Sequence, residues 1–236
     1  MKYENQLELM VYGRYALFSD PITRLGGEKC SYQVPTYDAL KGVMESIYWK
    51  PTIRWVIDDV RVMNQIRTEN KNVRPINYTG GNTLSVYTYL YSPCYQIRAH
   101  FIWNENRPEL AEDRDEDKHY QIAKRALNKG GRRDIFLGTR ECQAYAEPCV
   151  FGEGKGFYDD DGLRDFSLCV HGIDYPGETG KDLMRVRLWR PAMVNGVIHF
   201  PAPWECDESL TRDIRPAKAR EFTMADLNET IDEGGD

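Results

Sequence analysis

No stretch of this chain approaches the roughly 18 consecutive apolar residues that a bilayer-spanning helix needs. The opening decapeptide, MKYENQLELM, also lacks the apolar run of a secretory leader. The expectation is a cytoplasmic protein with no membrane partner. The six cysteines (Cys30, Cys94, Cys142, Cys149, Cys169, Cys206) form no CxxC pair. No Cys/His group has zinc spacing, so free thiols in a reducing compartment are expected. Gly152 to Gly156 reads GEGKG, which is not the GxxxxGK[ST] of a phosphate-cradling loop. Asp159-Asp160-Asp161 lacks the alternation of a calcium loop. Only four histidines are present, and His100, His171 and His199 are scattered. No metal and no cofactor is therefore expected.

What is present is charge, unevenly placed. The net charge is −6, but residues 221 to 236 carry six acids and no Lys or Arg. Setting those six aside leaves 31 acids against 31 bases, so the body is neutral overall and polarised locally. Glu105 to Asp117 holds seven acids against Arg107 and Arg114. Directly after it, Lys118 to Arg140 holds Lys118, Lys124, Arg125, Lys129, Arg132, Arg133 and Arg140 against Asp134 alone. Net charge speaks of solubility, whereas a local basic surface binds phosphate. The basic stretch reads as a phosphate-binding surface with one titratable group, His119, at its edge. A solvated helix carrying an ordinary histidine is the alternative. Arg14, Arg24 and Lys29 of the polar segment 14–34 could also reach a phosphate, though scattered surface charge accounts for any one of them.

The hydrophobic pattern gives the elements in order. Gln6 to Gly13 alternates as a strand. Thr36 can cap a helix with Asp38 in its first turn, and Leu40, Val43, Met44 and Ile47 form one apolar stripe. Tyr48 and Trp49 fall in its last turn, before Pro51. A phenol at this helix end reads either as a functional group or as a core residue with its hydroxyl at the rim. Ile53 to Met63 reads as a strand with a bulge at Asp58-Asp59. Thr83 to Tyr91 and Cys94 to Trp103 read as an extended hairpin broken by Ser92-Pro93. A helix follows from about Lys118 to Lys129, capped by Asp115 or Asp117 and ended by Gly130-Gly131. Cys142 to Val150 is a further strand. This β-α-β-β-α-β order, with one elaborated hairpin, is the α+β, ferredoxin-like arrangement also used by RRM domains. The RRM signature itself is absent. Beyond the Gly- and Asp-rich segment 151–165, Phe166–Gly172, Met184–Arg190 and Val194–Phe200 read as short strands. Asn195-Gly196 is a strong hairpin signal. The expected division is 1–150, 151–220 as a small antiparallel sheet, and an acidic, flexible tail 221–236.

Three segments carry a resemblance: PTYDALKGVMESIYWKP (35–51), KHY (118–120) and GGRRDIFLGTRECQAYAEP (130–148). Together they are similar to the CRISPR-associated fifth family of subtype I-C, the "d" variant, within the RAMP superfamily. The resemblance implies a ferredoxin-like N-terminal domain with a small C-terminal sheet. It implies metal-free cutting of CRISPR repeat precursor RNA at the base of its stem-loop. The protein would then stay on the 5′ handle beside the backbone and large subunits of the type I-C interference complex. It places the catalytic residues at Tyr48, Lys118 and His119.

That chemistry suits those side chains. The 2′-OH next to the scissile phosphate is the nucleophile, so the enzyme must take its proton, stabilise the phosphorane and let the 5′-oxygen leave protonated. His119 has a pKa near working pH, and Lys118 is a compact cation for the non-bridging oxygens. Tyr48 can orient the 2′-OH or relay a proton; which of Tyr48 and His119 is acid and which base stays open. Adjacent helical residues diverge by about 100°, so Lys118 and His119 converge only from a first turn. The reading also requires positions 48 and 119 to meet on one side and to be reachable. Lys124, Arg125, Lys129, Arg132, Arg133 and Arg140 are the candidate RNA phosphate contacts. Tyr145, Trp49 and Phe136 are candidate base-stacking groups, with core packing as the alternative. A relative that holds the guide-RNA handle without cutting is the alternative function.

Overall fold

The computed structural model describes residues 4–21, 27–74 and 83–219. Arg24 and the acidic tail 221–236 lie outside these. The organising element is an eight-stranded antiparallel sheet. Its middle strands are β1 (Leu7–Gly13), β6 (Cys94–Trp103), β3 (Ile53–Val62) and β8 (Gln143–Pro148), in the spatial order β8-β1-β6-β3. Helix α1 (Tyr37–Ile47) lies between β1 and β3 in sequence, and α2 (Glu116–Asn128) lies between β6 and β8. Leu9, Val11, Trp55, Ile57, Ile97 and Ala99 cover one face of the sheet in a single core with both helices. The stripe Leu40, Val43, Met44 and Ile47 is buried there. Thr36 caps α1, accepting the Ala39 N–H at 3.2 Å.

The bulge falls where the phase shift placed it. β3 pairs Ile57 with Ala99 and then Asp59 with Arg98, leaving Asp58 as the extra residue. The proposed hairpin of residues 83–103 does not form. β5 (Ser85–Tyr91) belongs to a separate sheet of order β2-β5-β4, with β2 at Tyr15–Ala16 and β4 at Thr68–Val73. Ser92 has φ 51° and Pro93 lacks an N–H, so the chain turns away rather than pairing β5 with β6. β4 went unread because TENKNV has no apolar alternation, its side chains being exposed or half-buried.

The C-terminal strands divide between two sheets. β13 (Val197–His199), β12 (Ala192–Val194) and β9 (Leu163–Asp165) continue the main sheet beyond β3. β7 (Ile135–Phe136) closes its other edge, beside β8. Asn195 and Gly196, at φ 47° and 80°, make the tight turn between β12 and β13. β10 (Cys169–Asp174), β11 (Leu183–Trp189) and β14 (Thr211–Pro216) form a third sheet, with a helical turn α3 (Pro176–Thr179). This sheet packs on α1: Ile173 N–H donates to Asp38 at 3.2 Å, and Tyr37 stacks on His171 at 4.4 Å.

Candidate active site

Helix α1 stops one residue before Tyr48, not after it as the sequence suggests. Tyr48 is the C-cap, with extended backbone (φ −156°, ψ 128°) and its N–H donating to the Met44 carbonyl. Its own carbonyl accepts Trp55 Nε1–H at 2.7 Å. Extended backbone at this position turns the phenol inward. The Ser46 carbonyl, left over at the helix end, accepts the N–H groups of Arg132 and Arg133 at 3.1 and 3.0 Å. The chain reaches it because α2 ends in a Schellman turn: Gly131 N–H bonds Ala126 C=O and Gly130 N–H bonds Leu127 C=O, both 2.9 Å. Gly130 and Gly131 lie at φ 85° and 109°, which favour glycine. The Arg132 guanidinium is thereby set over the Tyr48 ring, 4.9 Å from its centre.

Helix α2 begins with Asp115 as N-cap, accepting the Lys118 N–H at 3.0 Å. Lys118 and His119 are its third and fourth residues, in the first turn as the chemistry demands. They converge on Asp113, the last residue of a 3₁₀ turn, Pro108–Asp113, inside the acidic segment. Lys118 Nζ donates to Asp113 Oδ1 at 2.7 Å, and Thr52 Oγ1 donates to Oδ2 at 2.8 Å. His119 Nε2 meets the Asp113 backbone carbonyl at 2.8 Å. A carbonyl only accepts, so Nε2 carries the hydrogen and Nδ1 keeps its lone pair. That lone pair faces Tyr48 Oη at 2.6 Å, so the phenol donates to it. Phe101 and Trp103 of β6 stand edge-on to the imidazole at 6.2 and 5.7 Å.

The structure brings Tyr48, Lys118 and His119 together, but the sequence reading expected a reachable pair. Tyr48 and His119 are both 0% exposed, so the phenol hydroxyl is not at a rim. The Trp55 bond to its backbone and the aromatic box around the imidazole seal both. The Lys118 side chain, 42% exposed, is the open member. Burial pushes the Tyr48 phenol up and the imidazole of His119 down, although the Asp113 carboxylate and carbonyl oppose the latter. Burial also raises Asp113, but hydrogen bonds from Lys118 and Thr52 outweigh it and hold the carboxyl below its usual value.

Lys50, Thr52 and Asp113 were not singled out from the sequence. Lys50 is buried, which lowers its ammonium pKa, and its charge acts on His119 and Asp113. Of the three, only Asp113 left a signal, an acid five residues before a lysine. Its segment reads as a solvated acidic loop.

Lys124, Arg125, Lys129, Arg132, Arg133 and Arg140 are all exposed. None has an ion pair with a described carboxylate, whereas Lys41, Arg61, Arg98, Arg114 and Arg187 are paired. Arg132 and Arg133 adjoin the tyrosine. Arg140 lies apart from it, in the connection between β7 and β8, over the Phe136 ring at 6.0 Å. Tyr145, read more readily as core, is 59% exposed, while Trp49 and Phe136 are half-buried. Among the described residues no three His, Cys, Asp or Glu side chains group to hold a metal. No helix of the described residues is long and apolar enough to cross a membrane.

These features define a class: a mixed α/β protein of mostly antiparallel sheets, with a buried tyrosine–histidine pair beside an unpaired basic surface. The model of the family described as CRISPR-associated protein (Cas_Cas5), named Cas_Cas5d, matches residues 6–201. The chain belongs to that family. It is 27% identical over 235 residues to the "CRISPR pre-crRNA endoribonuclease Cas5d" of Mannheimia succiniciproducens, covering 86% of this chain and 98% of that one. It is 29% identical over 153 residues to the protein of the same description from Thermus thermophilus, covering 61% and 64%. A solved structure described as "Crystal Structure of CRISPR-associated Protein" superposes with TM-score 0.74 at 35% identity, over 88% of this chain and 96% of its own. A second, the "functionally uncharacterized protein SMU1763c from Streptococcus mutans", gives 0.73 at 35% identity with the same coverage.

Proposed function

We propose that this chain is a metal-independent endoribonuclease that cuts CRISPR repeat precursor RNA at the base of its stem-loop. It then stays on the 5′ handle as a subunit of the type I-C interference complex. The description of both curated relatives as pre-crRNA endoribonucleases supports the activity. The observation that carries the mechanism is the 2.6 Å contact between Tyr48 Oη and His119 Nδ1, with Lys118 beside it.

In this reading the 2′-oxygen attacks the adjacent phosphorus. Its proton passes to Tyr48 Oη as the Tyr48 proton passes to His119 Nδ1. The O2′–P bond forms, the P–O5′ bond breaks, and the 5′-oxygen takes a proton from water, whose hydroxide is neutralised by the proton that His119 then releases as the dyad resets. His119 is the ultimate acceptor because its Nε2 already carries a hydrogen. Lys118 spends one of three N–H donors on Asp113 and offers the others to the non-bridging oxygens. Lys124, Arg125, Lys129, Arg132, Arg133 and Arg140 track the RNA backbone. The strand order β8-β1-β6-β3 with a helix after the first and third strands in sequence supports a ferredoxin-like core. Residues 1–150 act as the RNA-binding and catalytic part, buttressed by 151–220.

The burial of Tyr48 and His119 favours a second reading, a guide-RNA-handle holder that does not cut. Incubation with stem-loop repeat RNA in EDTA separates the two. Cleavage leaving a 2′,3′-cyclic phosphate, blocked by a 2′-deoxy nucleotide at the cut, supports the nuclease. Intact RNA bound tightly supports the holder.

A further inference from the structure

We propose that Asp113 is a positioning residue of the cleavage site, completing an Asp113–His119–Tyr48 proton relay; this rests on the nuclease reading above. The order is acid, imidazole, hydroxyl, the logic of a catalytic triad with a phenol in the place of serine. Asp113 acts through two different groups. Its backbone carbonyl accepts Nε2–H at 2.8 Å and so keeps Nδ1 bare for the phenol. Its carboxylate stands 3.4 Å from Nε2 through Oδ2, where it stabilises the imidazolium formed when the Tyr48 proton arrives.

The carboxylate is held for this task. Thr52, just ahead of β3, fixes Oδ2 at 2.8 Å, and Lys118 in α2 fixes Oδ1 at 2.7 Å. One side chain thus ties the start of the second core strand to the start of α2. It sets the lysine and the imidazole at a fixed separation before RNA arrives. Among the described residues it is also the one anion in direct contact with the imidazole. The other charged or titratable groups acting on His119 are Lys118 of α2, Lys50 ahead of β3, and Tyr48 at the end of α1; Arg132 lies beyond the phenol. Phe101 and Trp103 of β6 bring no charge. The two lysines disfavour the imidazolium, and Asp113 offsets them.

The Asp113→Asn variant keeps the backbone carbonyl and the side-chain shape and removes the charge. The tautomer should therefore survive while the proton-accepting power falls. Nitrogen-15 NMR of the free full-length protein reads both. Wild type is expected to show His119 as the Nε2–H tautomer with Nδ1 unprotonated. Asp113→Asn is expected to show the same tautomer, with the imidazole titrating about one unit lower. Single-turnover cleavage of repeat RNA should fall at least about tenfold, with RNA affinity unchanged. Asp113→Glu, which restores the charge, should recover part of the loss. An unmoved His119 titration in folded Asp113→Asn, or cleavage at the wild-type rate, overturns the proposal. If Asp113→Asn fails to fold, the wild-type spectrum decides: an Nδ1–H tautomer overturns the relay and an Nε2–H tautomer supports it. If wild type does not cut RNA, the nuclease reading fails, while the titration still tells whether Asp113 governs His119.

Discussion

Among the described residues the Tyr48 hydroxyl has one hydrogen-bond partner, His119, and that makes Tyr48 the most informative residue to alter. Its hydroxyl touches His119 Nδ1 and its ring lies beneath Arg132. Tyr48→Phe keeps the ring and orphans the Nδ1 lone pair, at a cost of about 1–3 kcal/mol in stability. Cleavage should fall by roughly 10²–10⁴ with RNA binding retained, measured by single-turnover kinetics beside a filter-binding assay. The other residue-scale consequence is a pH dependence. His171 is buried against Tyr37 and Trp189, and burial followed by the nearby Arg187 charge lowers its pKa to about 3. A folded-state value below the unfolded one means that the unfolded chain takes the proton first. Stability is then complete above about pH 6.5 and is lost as pH falls. Between pH 7.5 and 5.5 the loss from His171 is about 1.4 kcal/mol, and His119, also lowered, adds in the same direction. Asp38 and Glu45, raised by burial, act in the opposite sense nearer the carboxylate range. A melting temperature that stays flat across that window would contradict this assignment.

At the scale of elements, the site depends on how two helix ends meet. Gly131 at φ 109° delivers Arg132 and Arg133 to the Ser46 carbonyl. Gly131→Ala should cost about 1–3 kcal/mol and slow cleavage, since the strain falls where α1 and α2 join. Thr36→Ala, at the far end of α1, should cost about 1 kcal/mol and leave cleavage unchanged. Equal kinetic effects from the two variants would show that the helix junction has no special role. The same elements show what the sequence could and could not disclose. α1 was legible because cap, first-turn acid and apolar stripe agree on one register. The bulge in β3 was legible because Asp58 breaks the strand's phase. β4 was invisible because an edge strand with few buried side chains needs no apolar alternation. The role of Asp113 was hidden for a different reason. Its neighbours are charged, and only the 3₁₀ turn, a tertiary outcome, folds it inward against Thr52.

At the scale of the whole molecule, the third sheet is bolted to the main sheet's helix layer through α1. Lys41, almost wholly buried, pairs with Glu178 after β10 and with Glu45 at 3.6 Å. Lys41→Ala leaves two partly exposed carboxylates without their partner and should destabilise the chain by about 1–3 kcal/mol, read by chemical denaturation. A loss within about 0.5 kcal/mol would mean that the Lys41 ion pairs contribute little to holding the third sheet on α1. The unpaired basic surface makes a separate claim. Each of Lys124, Arg125 and Arg133 that touches a phosphate should, when replaced by Ala, reduce the salt slope of RNA binding by about one.

The central claim is that Tyr48 and His119 move one proton as a single unit. The direct test is a double-mutant cycle in single-turnover cleavage, comparing Tyr48→Phe, His119→Ala and the pair together. The account predicts that the double variant is about as slow as the slower single variant. Losses that multiply, or a His119→Ala protein that cuts at the wild-type rate, would contradict it.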